Sequence, residues 1–283
     1  TKKKWYSENE YLQLLALCQL LPGPASSQLG IAIGLNARGY LGSLISFIGF
    51  TLPSALLMTS FALMINLYHG LSDSFALYSL KIIAVAVVAQ AIATMGKSQC
   101  IGTVKASITI FSTFFALTNN NPFNHIFIIM FAGLAGYLFC QVQLKQVINT
   151  ANKSKPEQRY LSLFLLAIFL LVLITSPILQ IISNNDLVTI FDSFYRSGAL
   201  VFGGGHVVLP LLESELVSTG LINSEDFLYG YSLAQAIPGP LFTFSSYLGV
   251  LSVDQSSPFL GSLVASIAIF LPGYLLILGL LPH

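Results

Sequence analysis

Apolar residues fill this chain in long unbroken stretches, and polar residues are confined to the short gaps between them. The pattern predicts helices near 11–35, 41–68, 75–96, 101–118, 123–141, 161–183, 187–217, 226–251 and 259–281. A helix needs about 20 predominantly apolar residues to cross a bilayer, and most of these runs meet that length. One polar stretch stands apart, from Gln141 to Arg159, carrying Lys145, Lys153, Lys155 and Arg159. It predicts a membrane segment at 1–144, a basic cytoplasmic linker at 145–160 and a second membrane segment at 161–283.

Three runs are not simple spans. The first is interrupted by Pro22-Gly23-Pro24 and the run from Phe227 by Pro238-Gly239-Pro240. The run from Leu187 is interrupted by Gly203-Gly204-Gly205. Proline lacks an N–H and clashes with the preceding turn, so a helix stops there. Glycine then permits the sharp bend. In hydrocarbon such a break persists only where protein buries it or where it lines a wet cavity.

The two Pro-Gly-Pro segments belong to an internal repeat. Aligning Pro22 with Pro238 brings Gln19 onto Gln235, Leu17 onto Leu233, Tyr11 onto Phe227 and Ser27 onto Thr243. After a three-residue insertion, Leu41-Gly42-Ser43-Leu44 meets Leu260-Gly261-Ser262-Leu263, and Leu52-Pro53 meets Leu271-Pro272. Seven crossings separate the copies if both irregular runs cross and five if both are re-entrant; either odd number implies inverted copies, whereas a single crossing run would not. Lys2, Lys3 and Lys4 precede the first copy, whereas Glu213, Glu215, Glu225 and Asp226 precede the second. The excess of basic residues places residues 1–4 and the linker in the cytoplasm. A re-entrant 11–35 run leaves four crossings between them, the even number this requires.

Composition agrees. The chain has 283 residues, 55% hydrophobic and 8% charged, with mean hydropathy +0.79; soluble domains carry about 25% charged residues. The fold class expected is all-α: a polytopic integral membrane protein with inverted repeats and discontinuous helices. A net charge of +1 gives no footprint for nucleic acid. Cys18, Cys100 and Cys140 lie too far apart for a CxxC motif, and the four histidines show no metal-ligand spacing. No nucleophile, base or metal set stands within the apolar runs. The chain is expected not to be an enzyme and to need neither cofactor nor metal.

Inverted repeats with discontinuous helices characterise secondary transporters, whose substrate sites lie at the breaks. A restarting helix presents unpaired N–H groups and a positive dipole end, which suits an anion. The candidate binding residues after the breaks are Ser26, Ser27 and Gln28 in the first copy, and Thr243 and Ser245 in the second. Gln19 and Gln235, one turn before the breaks, offer amide donors, and Gly23 and Gly239 form the bends between Pro22 and Pro24 and between Pro238 and Pro240. The same polar groups are equally suited to satisfying backbone freed by the prolines. Gly203, Gly204 and Gly205 form either an anion-binding nest or a close helix contact. His206 is read as an anion ligand or proton carrier, or as a structural histidine. Arg196 either attracts a dianion or pairs with Asp192 at i−4.

The stretches Ala16-Leu17-Cys18-Gln19-Leu20-Leu21-Pro22-Gly23-Pro24, Val201-Phe202-Gly203-Gly204-Gly205-His206-Val207-Val208-Leu209-Pro210 and Ala234-Gln235-Ala236-Ile237-Pro238-Gly239-Pro240 resemble the signature segments of the chromate transporter family. The Leu52-Pro53 and Leu271-Pro272 pairs fit as well. The resemblance implies a multi-pass protein of the cell inner (plasma) membrane that exports chromate, a tetrahedral dianion similar to sulfate, and so confers chromate resistance by alternating access. It leaves open transport of sulfate-like oxyanions in the other direction, an anion channel, and a homodimer. Partners are the oxyanion and the lipid bilayer. Longer members carry a Phe-Gly-Gly-Pro segment before the first Pro-Gly-Pro copy, and here only residues 1–10 precede that copy. The chain is therefore expected to be shortened at both ends.

Overall fold

The structure is a computed structural model. It describes residues 6–67, parts of 79–97, and 100–118, 124–139, 156–183, 185–202, 205–253 and 257–281. Half of the predicted 75–96 helix is described, and those residues are helical; the 145–160 linker falls mostly outside the described residues, and its end, 156–160, is helical. The described secondary structure is helical, with α1 Glu8–Leu20, α2 Ala25–Leu67, α3 Thr103–Thr118, α4 Asn124–Phe139, α5 Pro156–Ile182, α6 Asp186–Leu200, α7 Val208–Leu212, α8 Ser224–Ala236, α9 Phe244–Leu251 and α10 Pro258–Leu280. Three described helices are long and apolar enough to cross a membrane: Ala25–Ile65, Tyr160–Ile182 and Pro258–Leu280. The protein is an all-α polytopic membrane protein. Its chain divides into two compact units, residues 1–84 with 153–283, and residues 85–152. In the smaller unit α3 and α4 pack together, with Phe111 and Phe131 rings 5.3 Å apart.

The larger unit carries both copies of the repeat. Helices α1 and α8 are each 13 residues long and begin at aligned positions. Ser7 caps α1 through the Glu10 N–H, with Glu10 reaching back to the Ser7 N–H at 2.8 Å. Asn223 caps α8 by accepting from the Glu225 N–H at 3.2 Å. A side-chain oxygen at this place satisfies one of the orphan donors of the first turn. Both helices end in extended backbone, at Leu21 and Ile237, one residue before Pro-Gly-Pro.

The sequence pattern predicts separate helices at 11–35 and 41–68. The chain breaks between the two at Arg38 and Gly39, where the backbone leaves helical geometry and Gly39 takes φ +64°, so α2 consists of two helices joined at this turn. The two arms fold back tightly. A methyl group on Gly34 would strike the Gly42 carbonyl, and one on Gly42 the Gly34 carbonyl. The Ser46 hydroxyl donates to the Gly30 carbonyl at 2.8 Å between the same arms. The second copy repeats this contact where Gly249 and Gly261 meet backbone to backbone. Small residues permit such close helix approach in a membrane, where packing rather than water drives association. Gly261→Val is therefore expected to lower stability by about 1–3 kcal/mol, the range for overpacking. Gly49→Val, whose added carbon meets nothing within 4 Å, is the control. Thermal denaturation in detergent distinguishes the two; equal melting temperatures would contradict the packing.

The breaks are locked by the opposite copy. Gly23, at φ +119°, lies against Gly273 of α10, where an added carbon would stand 3.0 Å from the Gly273 Cα. Gly239, at φ +153°, lies against Ser54 of α2. Gly273 follows Pro272, and Ser54 follows Pro53. Each Pro-Gly-Pro bend thus packs on the proline-containing helix of the other copy. Two hydroxyl pairs join the same helices, Ser43 with Tyr274 at 3.0 Å and Thr59 with Ser262 at 2.7 Å.

Candidate oxyanion site

The predicted run 187–217 is not continuous. Helix α6 ends at Leu200, a 3-10 turn covers Gly205–Val207, α7 follows, and a π-helical turn closes Glu213–Val217. The Val201 carbonyl beyond α6 accepts a hydrogen bond from the Gly23 N–H at 2.7 Å, tying this segment to the first break. Gly205 faces the Leu241 side chain, just after the second break, where an added carbon would stand 3.1 Å from it. The three interrupted segments therefore converge.

They line a half-open cavity of about 370 Å³, with Gln19, Ala25 and Ser26 from the first copy, Gly205, and Ala234, Gln235, Ile237, Gly239, Leu241 and Phe242 from the second. The two sides are related by the repeat. Gln19 aligns with Gln235, and Ala25-Ser26 with Leu241-Phe242, so the first copy's part of the lining is more polar than the second's. The first helical bond after the first break runs from the Gln28 N–H to the Pro24 carbonyl at 2.9 Å. The N–H groups of Ala25, Ser26 and Ser27 precede it and have no intrahelical partner. After the second break the Thr243 N–H bonds the Pro240 carbonyl at 3.0 Å, leaving those of Leu241 and Phe242 ahead of it. Two side-chain amides and the first turns of two restarting helices thus border one space, an arrangement that suits an oxyanion. A water molecule takes about 30 Å³ of the liquid, so the space admits a small ion with part of its hydration shell.

A family profile of chromate transporters matches residues 1–137 and 188–283. The chain belongs to the chromate transporter family. It is similar to an uncharacterized transporter of Methanocaldococcus jannaschii, 24% identical over 99% of this chain and 68% of the relative. It is likewise similar to a probable chromate transport protein of Synechococcus elongatus, 29% identical over 97% of the chain and 66% of the relative. A chromate transport protein of Pseudomonas aeruginosa is 24% identical over 96% of the chain and 63% of its own length. The chain spans about two thirds of the length of these curated relatives. No solved structure matches it.

The remaining residues singled out in the sequence of this chromate transporter family member fall into different places. The Gln28 side chain is buried and its Nε2 donates to the Pro22 carbonyl at 2.8 Å. The Thr243 hydroxyl donates to the Pro240 carbonyl at 2.9 Å. These two side chains satisfy backbone that the prolines free. Ser27 and Ser245 are buried, and neither hydroxyl has a hydrogen-bond partner among the described residues. Gly23 supports the first break without lining the cavity. Gly203, Gly204 and the His206 side chain lie outside the described residues.

Arg196 is held in an ion-pair network. Its Nε donates to Asp192 Oδ2 at 2.8 Å, and Nη1 and Nη2 form a fork with Glu215 at 3.0 and 2.9 Å. Ser176 of α5 donates to the other oxygen of Asp192 at 2.6 Å. Asp192 is fully buried. The i−4 pairing was legible in the sequence, whereas Glu215, on the π-helical turn, is an added partner. The network fastens α5 and α6 to the segment that follows Gly205.

Proposed function

We propose that this protein is a membrane transporter that carries chromate, or a sulfate-like oxyanion, out of the cell across the inner (plasma) membrane, and thereby confers chromate resistance. The observation that carries the reading is the cavity in which Gln19, Ser26, Gly205, Gln235 and Gly239 come together from three broken segments. Neutral donors lining one cavity can replace the hydration of a dianion without a fixed cation. Gly203, Gly204 and His206 are proposed to complete the site from the segment beside Gly205. Gln28 and Thr243 support the breaks behind it, Ser27 and Ser245 add buried hydroxyls beside them, and Arg196 positions the Gly205 segment through Asp192 and Glu215.

The proposed mechanism is alternating access between repeats 1–144 and 161–283, joined by the basic linker 145–160. The exchange of bends supports this: Gly23 rests on Gly273, and Gly239 on Ser54. Such an exchange is what a two-fold relation between copies produces, and an axis in the membrane plane makes them inverted. Rocking of one copy on the other would open the shared cavity to either side in turn.

The test is chromate accumulation in a chromate-sensitive bacterium expressing the chain, against an empty vector. Lower accumulation, relieved by external or internal sulfate, is expected. Unchanged accumulation with confirmed membrane insertion would overturn the export reading.

A further inference from the structure

We propose that Tyr231 is a positioning residue that fixes the amide of Gln235 toward the bound oxyanion; this rests on the cavity being the oxyanion site. Gln235 is the penultimate residue of α8 and lines the cavity. Tyr231 lies one turn earlier, at i−4 on the same helix face. The Gln235 Nε2 donates to the Tyr231 hydroxyl oxygen at 2.8 Å. An amide nitrogen carries two N–H donors. One is held by the phenol oxygen, and the other remains for an anion in the cavity.

The phenol is itself immobilised. Tyr231 is 2% exposed. Its ring meets Phe244 edge-on at 6.2 Å, and Phe244 is gripped by Phe227 at 5.1 Å and Tyr247 at 6.3 Å. Gly230 lets the Tyr247 and Phe244 rings lie directly on the α8 backbone, where any side chain would collide with them. The hydroxyl is thus presented from a rigid aromatic block. A glutamine side chain otherwise loses rotamer freedom when it binds, and a pre-fixed donor avoids that cost.

The first copy lacks this device. Leu15 occupies the position aligned with Tyr231, and Gln28 the position aligned with Phe244. Leucine offers no hydroxyl to Gln19. The two aligned glutamines that line the cavity are therefore unequal. Gln235 sets the orientation of the anion, and Gln19 adapts to it.

The experiment measures binding of radiolabelled chromate to the purified full chain in detergent by equilibrium dialysis, for wild type, Tyr231→Phe, Gln235→Ala and the double variant. Tyr231→Phe keeps the ring and removes only the hydroxyl, and thermal denaturation confirms that the fold is kept. It is expected to weaken binding about 5-fold, the value of one neutral hydrogen bond. In the Gln235→Ala background the same change should have no further effect, because the hydroxyl acts through that amide. Wild-type affinity in Tyr231→Phe, or equal weakening in both backgrounds, would overturn the assignment while leaving the cavity reading intact. Wild-type affinity in Gln235→Ala would overturn the cavity reading and the assignment with it.

Discussion

Gly239→Val is expected to abolish transport and to destabilise the protein by roughly 2–6 kcal/mol, from a strained backbone and an overpacked contact of about 1–3 kcal/mol each. Two separate causes act at this residue. Its φ of +153° is a conformation that a β-branched residue rarely adopts. Any Cβ would also be driven into the buried Ser54 side chain on α2. The repeat supplies a control. Ser54 aligns with Gly273, which receives the bend of the first copy. Ser54→Gly should therefore relieve the contact and leave only the backbone strain. Gly239→Ala combined with Ser54→Gly is expected to recover part of the stability lost in Gly239→Ala. Thermal denaturation in detergent, read beside chromate accumulation, checks both. Equal melting temperatures for Gly239→Ala with and without Ser54→Gly would mean that the bend does not rest on α2.

Arg196→Ala carries the second large effect. It leaves Asp192 fully buried with only the Ser176 hydroxyl, and removes the fork of two N–H donors that holds Glu215. Breaking a buried ion pair from one side costs about 3–5 kcal/mol. Arg196→Lys keeps the charge but not the fork that meets Glu215 through two nitrogens, so it should fall between. Replacing Arg196, Asp192 and Glu215 together by methionine, asparagine and glutamine should be milder than Arg196→Ala, since no charge is then left unpaired. Melting temperatures rank the variants. A triple variant less stable than Arg196→Ala would contradict the account. If Arg196 instead contacted the anion, Arg196→Lys would change chromate affinity at unchanged stability.

Much of the fold was legible because its causes are local. Proline and glycine chemistry marked the breaks at Pro22-Gly23-Pro24 and Pro238-Gly239-Pro240, and long apolar runs marked the spans. Aligned glutamines marked the lining of the cavity. The turn at Arg38-Gly39 falls in the gap that the pattern leaves between its 11–35 and 41–68 runs. Other features depend on contacts between distant residues. Nothing near Gly23 in sequence points to Gly273, and nothing near Gly239 points to Ser54. Gln28 and Thr243 were equally suited to an anion or to freed carbonyls, and only their hydrogen bonds to Pro22 and Pro240 separate the two. Tyr231 was missed although a signal was present: tyrosine and glutamine four apart on a helix share a face.

The central claim is that the three interrupted segments form one oxyanion site. The most direct measurement is equilibrium dialysis of radiolabelled chromate with the purified protein and with a Gln19→Leu, Gln235→Leu variant. Saturable binding that sulfate displaces, and that the variant loses while keeping its melting temperature, is the predicted result. Absence of saturable binding, or undiminished binding in the folded variant, would contradict it.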